Sequence, residues 1–260
     1  MDEIVDIKLL SDTVGLANAK TQTTKGIRFT ESIVAEVLGA ETMLVDLNQG
    51  VQGIISGLNE AMEKLGIDLF VGIDVGGDVL AEGTEQGLYS MLSDSMMLAA
   101  MVNLKAPAVL GVLGYGSDGE LGFQRLNETI ARIASYGGLV GARGLTPDDL
   151  KVLDEVIKNT KTEATALAVE AARGKVGEVE IRGGHRKVLL TPACAVTFFF
   201  DPRVIFERVS KVAKELVQTK SLDEAQQVLE RMGVPSELTF ERNYLWKKYA
   251  SSDKLYGGSK

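Results

Sequence analysis

Residues 65–103 read LGIDLFVGIDVGGDVLAEGTEQGLYSMLSDSMMLAAMVN, and this stretch decides the predicted fold. Its apolar run ends at Asp74, two glycines and Asp78 follow, and a mainly apolar segment comes next. A short apolar run bounded by turn residues is typical of a buried strand, and a longer one of a helix. No lysine or arginine occurs between Lys64 and Lys105, whereas six acidic residues do. The stretch predicts a strand that leads into an acidic, glycine-bent loop and then into a helix.

A second strand with the same kind of loop follows in the sequence. Residues 108–113 read AVLGVL, and residues 114–120 read GYGSDGE. In open α/β sheets, ligands bind outside the carboxyl ends of the strands. The sequence therefore predicts a ligand site where the loops after residues 74 and 113 lie side by side.

Three aspartates of these loops are the strongest candidates for chemistry: Asp74, Asp78 and Asp118. Carboxylates are the ligands that Mg²⁺ and Mn²⁺ prefer, and such ions often bridge to a substrate phosphate. The same aspartates could instead form an acid/base pair with separated pKa values. The competing structural interpretation is a turn held by aspartate hydrogen bonds. The sequence favours a site for a small anionic metabolite, carrying phosphate or carboxylate, with Mg²⁺ or Mn²⁺.

The glycines of the loops are predicted to bring backbone N–H groups close to the anion, since glycine permits positive φ and close approach. The negative charge also needs a cation, which a metal, Arg143, Arg28 or the turn 182–186 could supply. Glycines after strands also make ordinary turns, and acids also cap helices. The further predicted ligand-binding residues are Gly76, Gly77, Glu82, Gly83, Gly114, Gly116 and Glu120.

Other conspicuous residues are interpreted structurally. Ser90 and Asp94 are predicted to cap a helix, and His185, the only histidine, to be a solvated turn residue. A single histidine disfavours a histidine-rich zinc site and a Ser-His-Asp triad. Cys194 is predicted to lie in the core. The methionine-rich helix over 94–104 is expected to fill the core or a subunit contact, and it is compatible with a homodimer.

Strands that alternate with helices predict an α/β protein with a doubly wound, mostly parallel sheet and helices on both faces, as in Rossmann-like folds. Residues 1–260 are expected to form a single domain. Within it, residues 146–174 are predicted to form a helical cap, and residues 178–190 a β-hairpin around Gly183-Gly184. Residues 2–16 are predicted to be a helix or a loop, and residues 235–260 a tail that docks through aromatic side chains and then frays.

Composition narrows the functional class. The net charge is −8 and the pI is about 4.9, which disfavours a general nucleic-acid or anionic-membrane binder. The single cysteine rules out a disulfide within the chain and favours a reducing, cytoplasmic location. No leader and no apolar run of about 18 residues is found. We therefore expect a cytoplasmic protein that contacts neither nucleic acid nor membrane.

Three segments resemble one family. They are GIRFTESIVAEVLG (26–39), VGIDVGGDVLAEGTEQGLYSMLSDSMMLAAM (71–101) and LGYGSDGELG (113–122). They resemble the mostly archaeal family of domain of unknown function 1152, and the resemblance spans residues 20–200. It implies a cytoplasmic α/β protein without an established activity. It also implies a further N-terminal strand and a glycine-rich loop with an aspartate, and this chain starts too late to contain that element.

A shorter resemblance concerns the first loop. GGDVLAEG (76–83) is similar to the GGNEIGMG loop of the D-glutamate cyclase family, which implies a lyase that handles a small carboxylate. The leading hypothesis is thus an enzyme, a lyase or a hydrolase, acting on a small anionic metabolite. The alternative hypothesis is a ligand-binding or assembly module without turnover.

Overall fold

The computed structural model describes residues 3–160 and 162–239. Its N-terminal part is a three-stranded antiparallel sheet in the order β1-β2-β3. Helix α1 packs on this sheet and ends at Gly39, where the glycine in the sequence predicts the end of a helix. The elements of this part are β1 (Ile4–Leu9), β2 (Val14–Thr23), α1 (Thr30–Leu38) and β3 (Thr42–Val45).

The prediction of a helix or a loop over residues 2–16 was wrong, because this segment belongs to the β1–β2 hairpin. The tight turn uses Ser11, whose hydroxyl accepts hydrogen bonds from the N–H groups of Thr13 and Val14. The hairpin is irregular, and its register shifts between Val5 and Ile7. A bulge of this kind breaks the strict alternation by which strands are recognised in sequence.

The central sheet has four strands in the order β4-β5-β9-β6. Only β4 and β5 run parallel, and β9 is antiparallel to both β5 and β6. The predicted doubly wound, mostly parallel sheet is therefore wrong. Residues 3–160 and 162–239 form a mixed α/β structure with three small sheets. These strands are β4 (Phe70–Val75), β5 (Ala108–Leu113), β6 (Leu139–Gly144) and β9 (Val196–Phe200).

Among the described residues, helices also do not cover both faces of the central sheet at β4. Helix α3 packs on β4, with the sulfur of Met101 directly over Gly72. On the opposite face of β4, Val71 and Ile73 are 46% and 51% exposed. The side chains of Ile73 and Phe199 share that face, since both lie over Gly111. A doubly wound fold would bury these side chains.

The remaining elements complete the helical layer and a separate hairpin. The predicted β-hairpin forms, and its strands are β7 (Gly177–Ile181) and β8 (Arg186–Leu190). Two expectations stay predictions, namely that residues 146–174 act as a helical cap and that residues 1–260 form a single domain. The tail beyond residue 239 lies outside the described residues. The helices are α2 (Gly50–Leu65), α3 (Met91–Met101), α4 (Phe123–Ser135), α5 (Pro147–Asn159), α6 (Glu163–Ala172), α7 (Pro202–Arg208), α8 (Val212–Leu216) and α9 (Leu222–Met232).

Helix α3 lies at the centre of the molecule. It contacts α2, α7, α8 and α9 as well as β4. Its methionines Met91, Met96 and Met101 are almost fully buried in the core. They are therefore core residues of the protomer, and a homodimer, which stays a prediction, would have to use another surface. The burial of α3 also fixes the position of the acid that it carries, Asp94.

Candidate functional site

The two glycine-rich loops lie side by side, as the sequence predicted. In the parallel register of β4 and β5, Asp74 pairs with Val112, so the two strands end together. The N–H of Gly116 then donates a hydrogen bond to the carbonyl oxygen of Gly76. At Gly76, where φ is 138°, a Cβ would lie 2.0 Å from Oδ2 of Asp118. Only glycine allows the second loop to approach the first this closely.

Three carboxyl groups meet beside these loops. Oxygens of Asp74, Asp78 and Asp94 all lie within 4.8 Å of one another. Asp74 comes from the end of β4, Asp78 from the short 3₁₀ turn after it, and Asp94 from the first turn of α3. We call Asp74, Asp78, Asp94 and the neighbouring Asp118 the acidic cluster.

Several oxygens at this place lack a hydrogen-bond partner among the described residues. Asp74 accepts hydrogen bonds from the N–H groups of Gly77 and Val79, but its buried Oδ2 has no donor. Asp118 is 8% exposed, and its Oδ1 accepts the N–H of Glu120 at 2.8 Å, whereas its Oδ2 has no donor. The fully buried hydroxyl of Ser117 is also unpaired. Buried polar atoms are nearly always paired, so each of these oxygens calls for a partner such as a proton, a water molecule or a ligand.

Burial and mutual repulsion change the acidity of the cluster. Burial raises the pKa of Asp78 to about 6, and the negative charge of Glu120 also raises it. The hydrogen bond from Ser90 acts in the opposite direction. Burial, followed by the charge of Asp78, raises the pKa of Asp118 to about 7. The pKa values of Asp74 and Asp94 are raised well above the ordinary value by the same two causes. Near neutral pH, some carboxyl groups of the acidic cluster therefore stay protonated, which reduces the negative charge of the cluster.

A hydrogen-bond chain joins the cluster to Glu120. The hydroxyl oxygen of Ser90 lies 2.6 Å from Oδ2 of Asp78 and 2.9 Å from Oε1 of Glu120, and its single hydrogen is shared between these two acceptors. Oε2 of Glu120 accepts the N–H groups of Tyr89 and Ser90 at 2.6 and 3.2 Å. On its other side, Oε1 of Glu120 lies 3.2 Å from Nη1 of Arg186. Glu120 thus connects the metal-ligand candidates to a cation.

The start of α3 is fixed by a residue from far along the chain. The carboxylate of Glu237 accepts hydrogen bonds from the N–H groups of Leu92 and Ser93 at 3.0 and 2.7 Å. It also accepts the hydroxyl of Ser93 at 2.7 Å. A carboxylate at a helix N-terminus is stabilised by the free N–H groups and by the helix dipole. Glu237 therefore orients the helical turn that carries Asp94.

The predicted site residues Glu82 and Gly83 lie at a separate network of ion pairs, which Glu82 forms. Oxygens of the Glu82 carboxylate are 2.8 Å from Arg125, from Arg132 and from Lys211. The hydrogen bond from Lys211 lowers the pKa of Glu82 to about 2, and the hydrogen bond and the charge of Arg132 contribute in the same direction. Burial of the Glu82 carboxylate acts against them and would raise its pKa. At the neighbouring Gly83, a Cβ would meet Val212 at 2.4 Å. Glu82 thus anchors the loop to α4 and to Lys211, which directly precedes α8, and Gly83 packs against the start of α8.

The backbone of the predicted anion-binding glycines is engaged inside the protein. The N–H of Gly76 donates to the carbonyl of Leu113 at 2.8 Å, and that of Gly77 donates to Asp74. In this arrangement the glycines allow the two loops to pack together. Gly114 has a φ of 91°, and its Cα hydrogen atoms lie against the hydroxyl of Ser117. That their N–H groups contact an anion stays a prediction.

Of the arginines predicted to balance the negative charge, Arg186 is the one that contacts a residue beside the acidic cluster in the described part of the chain. Arg143 pairs with Asp149 at 3.0 Å, and Arg28 pairs with Glu36 at 2.7 Å, both away from the cluster. Arg186, from the predicted turn 182–186, is the cation that contacts Glu120. His185 is exposed and Cys194 is buried, in agreement with their structural interpretations.

A cavity of about 230 Å³ adjoins the second loop, on the side of the β7–β8 hairpin. Gly116 and Gly119 form part of its wall, and the rings of Tyr115 and Phe123 form another part, with centroids 5.6 Å apart. The Asp118 loop therefore has the acidic cluster on one side and a partly aromatic cavity on the other.

Sequence reasoning missed two residues of the site. Ser90 and Asp94 were predicted to be capping residues, but the side chain of Ser90 makes no capping hydrogen bond and instead bonds Asp78. A detectable signal was the presence of a single acid, Asp94, in the otherwise apolar and hydroxylic helix MLSDSMMLAAM (91–101). The role of Glu237 had no local signal, because its partners are about 145 residues away.

Comparison with known proteins identifies the family. The family model described as "Protein of unknown function (DUF1152)" matches residues 1–245. The chain belongs to this family. The match extends beyond the three segments that carry the resemblance and includes every member of the acidic cluster and Glu237. No curated protein and no solved structure matches the chain. In residues 3–160 and 162–239, no helix has both the length and the apolar character needed to cross a bilayer.

Proposed function

We propose that the protein binds one divalent cation, Mg²⁺ or Mn²⁺, through Asp74, Asp78 and Asp94, with Asp118 beside them. The observation that supports this proposal is the convergence of three carboxyl groups within 4.8 Å together with buried carboxylate oxygens that have no donor. Carboxylates this close cannot all ionise without a compensating positive charge. A cation that prefers oxygen ligands supplies that charge and pairs the free oxygens.

We further propose that the cation serves to bind a small anionic metabolite. Mg²⁺ and Mn²⁺ rarely have only protein ligands and usually hold substrate phosphate or carboxylate oxygens as well. The site lies where the loops after two parallel strands meet, which is a common ligand position in α/β sheets. The acid excess of the chain does not oppose this assignment, because the cation reverses the local charge.

An enzyme, a lyase or a hydrolase, is the preferred form of this function. The supporting observation is the placement of the buried Asp118 carboxyl group beside the proposed cation ligands, where it can give a proton to a bound ligand or take one from it. Asp118 also has a free oxygen that can reach a ligand. A binding module without turnover is the second candidate.

The first test measures thermal unfolding with and without Mg²⁺ or Mn²⁺. At a hundred times its dissociation constant, the cation should add about 2.7 kcal/mol to the free energy of unfolding, which corresponds to several degrees. We expect Asp78→Asn to abolish this increase without unfolding the apoprotein, because the amide removes a charge that burial already disfavours. Exposed Asp68, at the opposite end of β4, gives the matched control Asp68→Asn.

An increase that persists in Asp78→Asn and Asp94→Asn would refute the site. A second measurement separates enzyme from binding module. Phosphorylated and carboxylated metabolites are incubated with the Mg²⁺-loaded protein, and products are followed by ³¹P and ¹H NMR. Turnover that is lost in Asp118→Asn, while Mg²⁺ still binds, identifies an enzyme. Saturable binding of a metabolite without any product identifies the binding module.

A further inference from the structure

We propose that Arg186 binds an oxyanion of the ligand, so that one phosphate or carboxylate group spans the cation and this guanidinium. The inference rests on the proposed function, and it names the residue that selects the anionic class. Arg186 opens strand β8 of the hairpin and reaches back to the loop that follows β5. It brings a positive charge from a separate sheet to the edge of the acidic cluster.

Three contacts hold the guanidinium in place. Its Nη1 donates to the carbonyl oxygen of Asp118 at 2.8 Å and to Oε1 of Glu120 at 3.2 Å. Its carbon Cζ lies 4.9 Å from the ring centroid of Tyr89. A cation over an aromatic face is stabilised by the ring quadrupole. With 18% of the side chain exposed, Arg186 is anchored at one nitrogen and still reaches the surface.

The rest of the guanidinium is available to a ligand. Within the described part of the chain, Nε and Nη2 of Arg186 donate no hydrogen bond, and neither atom is among the buried unpaired atoms. Neither nitrogen is therefore fully buried. Arginine donors form a planar fork that matches two oxygens of a carboxylate or a phosphate. The free edge of Arg186 has the geometry of an oxyanion clamp.

The clamp lies next to the proposed cation. From Arg186, the hydrogen-bond chain runs through Glu120 and Ser90 to Asp78, a proposed ligand of the cation. Glu120 is already satisfied by four donors, so the anchoring carboxylate does not need the free edge of the guanidinium. We expect an anion with one oxygen on the cation to place another oxygen at this edge.

The neighbouring basic residues of the hairpin do not share this position. Lys187 lies 3.8 Å from Glu178, and the Lys187 side chain is 64% exposed. Arg182 lies 3.6 Å from Glu163. Lys187 thus provides a matched control, since Lys187→Gln removes a charge one residue away without touching the loop of Asp118.

The test titrates inorganic phosphate and, separately, malonate into the Mg²⁺-loaded full chain by calorimetry. We expect one or both to bind, and Arg186→Lys to weaken that binding roughly tenfold or more, because lysine retains the charge but not the fork. Mg²⁺ affinity should stay within about twofold in Arg186→Lys. Lys187→Gln should change neither affinity. The anion that Arg186→Lys weakens more identifies the phosphate or the carboxylate class.

Two results would overturn the inference. One is a wild-type protein that binds Mg²⁺ but neither anion, and the other is unchanged anion affinity in Arg186→Lys. Failure to bind Mg²⁺ at all would instead refute the proposed function itself. If Arg186→Lys does not fold, Tyr89→Leu decides, because it removes only the ring under the guanidinium. A weaker affinity for the anion in Tyr89→Leu supports the clamp, and an unchanged one rejects it.

Discussion

Gly76 is the residue at which the two loops come closest. Its φ of 138° is a conformation that side-chain-bearing residues rarely adopt, and a Cβ would overlap Oδ2 of Asp118. We expect Gly76→Ala to lower the free energy of unfolding by about 1–3 kcal/mol through backbone strain alone. It should also displace Asp118 and weaken the Mg²⁺-induced increase in melting temperature.

Gly122→Ala is the control for this prediction. Gly122 has an ordinary φ of −66°, and no atom lies within 4 Å of a Cβ placed there. Denaturant unfolding of the two variants, each with and without Mg²⁺, gives the comparison. Equal stability of Gly76→Ala and Gly122→Ala would show that the loops do not require the close approach.

At the level of single residues, the sequence predicted Asp74, Asp78 and Asp118 as neighbours, and the structure confirms that their loops meet. The prediction worked because the glycines and acids immediately follow two apolar runs. It did not extend to Glu82, whose attraction to Arg125, Arg132 and Lys211 depends on tertiary packing. An acidic side chain in a loop does not itself reveal whether its partner is a ligand or an arginine.

The first turn of helix α3 depends on a distant residue. The carboxylate of Glu237 accepts two N–H groups of its first turn. We expect Glu237→Gln to reduce the free energy of unfolding by about 1 kcal/mol, because a neutral amide interacts less with the helix N-terminus. The Mg²⁺-induced increase in melting temperature should persist, since Glu237 is not one of the proposed ligands.

Chemical denaturation of Glu237→Gln checks this expectation. The control is Glu63→Gln on α2, where the side chain is exposed and the change should be negligible. If the two variants are equally stable, the contacts of Glu237 do not stabilise α3. Loss of Mg²⁺ binding in Glu237→Gln would instead assign Glu237 to the cation site.

Elements with clear end signals were predicted well from the sequence. Gly39 and Gly66 end α1 and α2 in the left-handed conformation, and Ser221 caps α9 through the N–H of Glu224. In the sequence, Pro202 opens a segment to about residue 217 that is typical of one helix, but the structure divides it into α7 and α8. The break falls at Ser210, whose hydroxyl accepts the N–H of Ala213 and so starts a new helix. Such local hydrogen bonds compete with a continuous helix, and periodicity does not register them.

The pairing of the strands could not be read from the order of elements. Alternating strands and helices usually give parallel neighbours, and β4 and β5 follow that rule. Strand β9 instead enters between β5 and β6 in the antiparallel direction, about 85 residues after β5. The short apolar sequence VTFFF identifies a buried strand but not its direction.

For the whole molecule, the acidic cluster predicts an unusual dependence of stability on pH. Asp78 and Asp118 have pKa values of about 6 and about 7 in the folded protein, against 3.8 as the ordinary value. Between pH 4 and 7 the folded protein therefore holds protons that the unfolded chain releases. The free energy of unfolding of the apoprotein should fall as pH rises through this window, by about 3 kcal/mol for Asp78 alone.

The opposite dependence should appear in strong acid. Glu82 has a lowered pKa of about 2, so its contribution to stability is present above its ordinary pKa of 4.5 and lost as pH falls towards 2. Saturating Mg²⁺ should flatten the decline between pH 4 and 7, because the cation stabilises the ionised carboxylates. Urea unfolding at a series of pH values measures both the decline in stability from pH 4 to 7 and the loss of stability in strong acid. An apoprotein that gains stability from pH 4 to 7 would contradict the raised pKa values, and Asp78→Asn should show a shallower decline.

The link between Glu237 and the first turn of α3 has a consequence for biosynthesis. A ribosome makes Asp74, Asp78 and Asp94 long before it reaches Glu237, which is about 145 residues beyond its hydrogen-bond partners. The nascent chain thus carries its acids for most of translation without the group that orients α3. We therefore expect the proposed cation to bind only after residue 237 has been made, and a product that terminates before residue 237 to lack a fully ordered site.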